Sequence, residues 1–259
     1  MLSNGLLAVD LAISQAAARL TGHNLLFDGV VKYLIQYQTF KIFPLVALLC
    51  AVASLQPDRV RAARLIAQGV GAGLVALLIT RLIQNFSSPR PRPGFVPGFD
   101  APTPFIVPDM QEWSSFPSDT SALAMALAVV VLTRSRPLGA LALAWTVIIA
   151  LARLIGALHY SSDILAGAMM GAAAGLAFTT RWVGHALRDL TSRCLHASPA
   201  LTSLLLVALL FQVATMFEDV RMAANGVLKR SGIVRPAAAD VTYSSAGGVP
   251  VPTATADTK

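Results

Sequence analysis

Six stretches of the chain run almost free of charge: Phe40–Leu55, Ile66–Ile83, Ser121–Leu132, Leu138–Leu158, Ile164–Phe178 and Leu201–Phe217. Several are a little shorter than the ~20 residues that cross a hydrocarbon core comfortably, so tilting or polar caps must complete the crossing. Small residues crowd the fifth stretch ("AGAMMGAAAGLA"), which suits close helix packing in lipid. The pattern predicts an all-α membrane helix bundle of about six spans, one domain over residues 40–217.

Residues 1–39 read differently. "LLAVDLAISQAAARL" and "LLFDGVVKYLIQY" place apolar and polar residues at roughly helical spacing, interrupted by Asp10, Arg19, Asp28 and Lys32. This predicts amphipathic helices lying at the membrane interface. A cleaved signal peptide is not expected, because neither a basic leading segment nor a small-residue cleavage site frames a compact apolar core. Residues 218–259, ending "TYSSAGGVPVPTATADTK", are poor in large apolar side chains and predict a disordered tail.

Composition agrees with this picture. The 259 residues are 55% hydrophobic and 13% charged, with a mean hydropathy of +0.65, against about 25% charged residues in a soluble domain. The net charge of +7 raises the question of nucleic acid, but no basic cluster with interleaved aromatics supports it. The arginines mark topology instead. Arg59, Arg61 and Arg64 follow the first span, Arg134 and Arg136 the third, and Arg181, Arg188 and Arg193 the fifth. The positive-inside rule makes these three loops cytoplasmic. The loop Asn85–Pro117, the turn His159–Ser162 and both termini then share the outer face. Cys50 lies in a span and Cys194 in a cytoplasmic loop, so no disulfide is implied.

Three polar clusters fall at span ends on that outer face: "PRPRP" (Pro89–Pro93), "FPSDTS" (Phe116–Ser121) and "RLIGALHYSSD" (Arg153–Asp163). Charged groups at such depth are costly, and a shared site explains all three at once. Arg90, Arg92 and Arg153 offer planar forks suited to phosphate oxygens. The prolines stiffen their segment. Ser118 and Asp119 open a helix whose free N–H groups can also receive phosphate. His159 and Asp163 are four residues apart, so the carboxylate can hold the imidazole in one tautomer for nucleophilic or proton-carrying work. Each cluster also has a plain reading, as a snorkelling arginine, a stiff loop, a helix cap or a helix-surface pair.

Together the clusters resemble the three motifs of the type-2 phosphatidic acid phosphatase superfamily: K-x6-RP, PSGH and SR-x5-H-x3-D. Here the third motif is Ala152-Arg153, five residues, His159, three residues and Asp163, with only the leading serine changed. The likeness covers about residues 40–181 and is strongest to the membrane subgroup that dephosphorylates polyprenyl diphosphates. It implies that His159 attacks phosphorus and becomes a phosphohistidine, and that Asp163 orients it. Arg153, Arg92 and the Ser118–Asp119 segment would hold the phosphoryl oxygens, with no metal or other cofactor.

Two positions depart from the motifs. Asn85 stands where the family has lysine, with Arg81 one turn further back and able to reach toward the site. Thr120 stands where the family has the histidine that protonates the leaving group. Expelling an alkoxide needs that proton, and general acids contribute ~10²–10⁴-fold. Expelling a lipid monophosphate needs it far less, because a phosphate monoester's second pKa is about 6. Thr120 therefore favours a lipid diphosphate substrate. Three activities are compatible with the residues: hydrolysis of a polyprenyl or other lipid diphosphate, phosphoryl transfer from His159 to a lipid or sugar acceptor, and non-catalytic binding of a lipid phosphate. The expected setting is a bacterial inner membrane with the site on its outer face.

Overall fold

In the computed structural model, residues 2–100, 114–216, 241–243 and 250–252 are described. The order is α1 (Leu2–Ala18), α2 (Leu25–Gln36), α3 (Gln38–Ser54), α4 (Arg59–Phe86), a 3-10 turn (Pro93–Phe95), α5 (Asp119–Leu132), α6 (Arg136–Ile155), α7 (Ser161–Thr179), α8 (Arg181–Ala197) and α9 (Pro199–Ala214). Within the described residues each of the six apolar stretches is helical over most of its length. By length and apolarity α4, α6 and α7 can each cross a membrane. Helix α2 and the part of α3 from Phe40 pass the same test together but meet at 69°.

Local chemistry sets the ends. Asn24 accepts from the amides of Leu26 and Phe27 to start α2, and Asp58 accepts from Arg61 to start α4. Pro137 and Pro199 sit in the first turns of α6 and α9, where a missing N–H costs nothing. The apolar core is built from Leu45 and Leu49 of α3, Leu65 and Ala72 of α4, Leu123 and Leu127 of α5, and Ile149 of α6. Leu78, Leu82, Leu141, Leu151, Leu165, Met169, Leu204 and Phe211 instead point outward, an apolar exterior that suits lipid.

Helix α5 is the most enclosed, and α7 lies against it through glycines four residues apart. A Cβ at Gly167 would fall 2.2 Å from the Ser118 carbonyl oxygen, at Gly171 2.0 Å from that of Ala122, and at Gly175 2.9 Å from that of Ala126. Only hydrogen fits at the first two. The small-residue stripe thus brings two backbones together and fixes the register of the helices that open beside the site.

Residues 181–197, expected as part of a basic loop, form the helix α8, with Trp182 and Leu190 exposed among Arg181, Arg188 and Arg193. Helix formation there satisfies the backbone while leaving the arginines on the surface. Helix α3 begins two residues before the boundary expected at residue 40. Of the expected tail, a short antiparallel ribbon is described, pairing Val241 with Pro252 and Tyr243 with Pro250, and the remainder lies outside the described residues.

Candidate active site

Backbone bonds join the three polar clusters. The Ser115 amide donates to the Arg90 carbonyl (2.8 Å), the Gly94 amide to that of Ala157 (3.0 Å), and the Ser118 amide to that of Asp163 (3.0 Å). Gln84 of α4 donates to the Pro117 carbonyl (2.7 Å), across the cis Phe116–Pro117 peptide. Ala157 adopts φ +54°, a left-handed conformation costly for a residue with a Cβ, in the turn that leads into Leu158 and His159.

His159 is fully buried. Its Nδ1 lies 2.8 Å from the Ser115 carbonyl oxygen, an acceptor, so this network assigns the proton to Nδ1. Nε2 therefore carries the lone pair. It faces Arg153 Nη2 at 3.2 Å and Arg92 Nη1 at 3.3 Å, and Arg92 also donates to the Leu158 carbonyl (2.9 Å). Burial, and then the charges of Arg92 and Arg153, push the imidazole down to about 4 against the opposing pull of Asp163. Burial, then Arg153, pushes Arg92 down to about 9, which still leaves it charged at neutral pH. An unprotonated ring nitrogen between two guanidinium groups is equipped to attack an anionic phosphorus centre whose oxygens those groups hold.

The sequence profile of the PAP2 superfamily matches residues 65–187. The match spans just under half of the chain, and over that stretch the chain is similar to the PAP2 superfamily. The crystal structure of Aquifex aeolicus LpxE is similar over 66% of this chain and 92% of that one, at 18% identity and a TM-score of 0.46. No curated protein matches.

Within this site Arg92, Arg153 and His159 converge, but Asp163 does not orient His159 by a hydrogen bond. Its Oδ2 lies 3.8 Å from Nδ1. The physical reason is that His159 precedes α7 and so does not share a helix face with Asp163. As the third residue of α7, Asp163 instead accepts from the amide of the N-cap residue Tyr160 (2.9 Å). Its other oxygen accepts from Arg90 (2.5 Å). Arg90 is also bound to Ser162 (2.8 Å) and to Asp10 (2.8 Å), and stacks over the Tyr160 ring at 4.0 Å. It is placed as a clamp between acids, not toward His159 Nε2.

The second motif is likewise engaged with itself. Ser118 Oγ caps α5 by accepting from the Ser121 amide and hydroxyl. Asp119 takes Arg81 on one oxygen (2.7 Å) and the Thr120 amide on the other (2.7 Å). Arg81 thus reaches the site through Asp119. The Thr120 hydroxyl lies 3.3 Å from Asp119 and 3.9 Å from Met216 Sδ at the end of α9. Asn85 is part-exposed on the last turn of α4.

The sequence reading did not single out Ser115, Gln84 or Asp10. Ser115 and Gln84 act through or upon backbone carbonyls, which no residue pattern records. Asp10 left one signal, a carboxylate on an otherwise apolar helix. Among the described residues no group of three His, Cys or carboxylate residues is close enough to hold a metal ion.

Proposed function

We propose that the protein hydrolyses a lipid diphosphate, such as a polyprenyl diphosphate, through a phosphohistidine on His159, at the outer face of a bacterial inner membrane. The observation that carries the reading is His159 Nε2 facing both Arg153 and Arg92 while Nδ1–H is held by Ser115. Nε2 attacks the terminal phosphorus, and the bond to the bridging oxygen breaks, releasing the lipid monophosphate. Arg92 and Arg153 offset charge on the transferring phosphoryl oxygens. Water then attacks phosphorus, the N–P bond breaks, and inorganic phosphate leaves with His159 restored.

The second motif supports a diphosphate. Thr120 cannot supply a proton near neutral pH, and Asp119 spends its oxygens on Arg81 and the Thr120 amide. A leaving group that is itself a phosphate tolerates that lack, whereas an alkoxide does not. For sidedness, the support is that Asp10 and Met216 adjoin the site, whereas Arg134 bonds Gln68 near the far end of the bundle, where Gln68 also donates to the Phe178 carbonyl in the last turn of α7.

The test is release of phosphate from a terminally ³²P-labelled lipid diphosphate by purified protein, with alkaline denaturing quench to trap an acid-labile, base-stable phosphoprotein. His159→Asn must lose both turnover and label. Transfer of the label to an added lipid or sugar acceptor in place of water would instead support the phosphotransferase. For orientation, single cysteines at Ser88 and Arg188, in protein lacking Cys50 and Cys194, should label from outside at 88 only.

A further inference from the structure

The amphipathic helix α1 lies outside the matched PAP2 region, yet it places a buried carboxylate against the catalytic turn. Asp10 Oδ1 accepts from the Ser161 hydroxyl (2.5 Å) and the Ser162 amide (3.0 Å). Its Oδ2 accepts from the Ser162 hydroxyl and from Arg90 Nη2 (2.8 Å). Burial alone would raise the Asp10 carboxyl, but these donors outweigh it and hold it below the ordinary carboxylate value, so it is charged at neutral pH.

Arg90 is therefore shared. One arm of its fork holds Asp10, and the other holds Asp163 (2.5 Å), whose far oxygen is 3.8 Å from His159 Nδ1. The set Asp10, Arg90 and Asp163 carries a net charge of −1. When Nε2 bonds phosphorus while Nδ1 keeps its proton, the ring becomes a cation. Ser115 contributes only a carbonyl dipole to that cation, so the net negative charge behind it matters.

We propose that Asp10 is a positioning residue of the active site: by sharing Arg90 it leaves Asp163 with the charge that stabilises the His159 cation, and it fixes the first turn of α7 in register. The inference rests on the phosphohistidine reading above. It makes α1 part of the catalytic unit, beyond the PAP2 domain itself.

Charge counting gives the test a direction that a merely structural contact lacks. Asp10→Asn takes the set from −1 to 0, and Asp10→Asn with Arg90→Gln returns it to −1. The four combinations of these two changes are assayed on a lipid diphosphate in detergent. Asp10→Asn should lower kcat about tenfold with KM little changed. Adding Arg90→Gln should recover most of the loss. A double variant as poor as, or poorer than, Asp10→Asn would show a simple structural clamp and overturn the inference, as would Asp10→Asn with wild-type kcat. Should the double variant not fold, Asp10→Glu decides: it keeps the charge and must retain most of kcat, and a loss equal to that of Asp10→Asn overturns the proposal.

If the wild type itself shows no turnover, the proposed function fails separately. Orthovanadate, which can form the same Nε2 bond, then reads the network by its binding affinity. Weaker binding in Asp10→Asn and recovery in the double variant uphold the inference. Equal binding by all four proteins, or binding by none, overturns it.

Discussion

His159 and Asp163 are four residues apart in sequence, but 3.8 Å separates Nδ1 of the first from Oδ2 of the second, and the Ser115 carbonyl accepts the Nδ1–H hydrogen bond instead. The carboxylate is committed to the Tyr160 amide and to Arg90. Asp163 thus acts on the site mainly by holding the start of α7 and by its charge. Asp163→Asn should leave the His159 tautomer in place yet remove one of the two ionic partners of Arg90, the other being Asp10, from a fully buried position. Breaking such a pair costs roughly 3 kcal/mol or more, so the variant should melt clearly below wild type in detergent. A wild-type melting curve with kcat reduced about 10²-fold would return Asp163 to a purely catalytic role.

The two titrating groups at Nε2 set the pH response. His159 must be unprotonated to attack, and burial with Arg92 and Arg153 pushes it down to about 4. Activity should therefore rise with pH through about 4 in the free enzyme. Arg92 must be charged to hold a phosphoryl oxygen and is pushed down to about 9, so activity should fall as pH rises through about 9. Both limbs lie apart from the substrate's own ionisation near about 6. A kcat/KM profile from pH 3 to 10.5 checks them, and Arg92→Lys should move the alkaline limb without moving the acid one.

Thr120 gives a substrate prediction that packing modifies. Hydrolysis of a lipid diphosphate should exceed that of the matched monophosphate by something like the ~10²–10⁴-fold that a general acid contributes. Installing histidine at this position should raise the monophosphatase rate selectively. Because Thr120 is fully buried against Met216, Thr120→His alone overfills the site. The informative variant is Thr120→His with Met216→Ala, assayed on both substrates. Equal wild-type rates on the two would sink the leaving-group argument.

The α5–α7 contact predicts an inverted glycine effect. Gly→Ala inside a helix is ordinarily stabilising by up to ~1 kcal/mol. At Gly171 the new Cβ would sit 2.0 Å from the Ala122 carbonyl oxygen, a clash with backbone that cannot swing aside. Gly171→Ala should lower the thermal midpoint by an amount equivalent to roughly 1–3 kcal/mol. Gly29→Ala in α2, with nothing within 4 Å of the added atom, should be neutral or stabilising and serves as the control.

The helices were legible because long charge-free runs in a chain this apolar have few other uses, and each of the six runs became a helix. His159, Arg92 and Arg153 were legible because rare polar residues at span ends converge for a reason. The error at α8 arose from reading three arginines as a loop, although Trp182, Leu190 and the arginines alternate at helical spacing. The roles of Asp163 and Arg90 were not legible. They depend on where α7 starts, a matter of one or two residues, and on Asp10, which meets Arg90 from 80 positions away and Ser162 from 152. Ser115 was hidden because its carbonyl, not its side chain, does the work.

The backbone hydrogen bonds that join Ser115 to Arg90, Gly94 to Ala157 and Ser118 to Asp163 involve no side-chain atoms. A socket built this way tolerates exchange of the groups that line it. Replacements at positions such as 85 and 120 can therefore change the lining while the cradle keeps its shape. Such a scaffold lets new substrate preferences arise by single replacements, with no need to rebuild the walls around them.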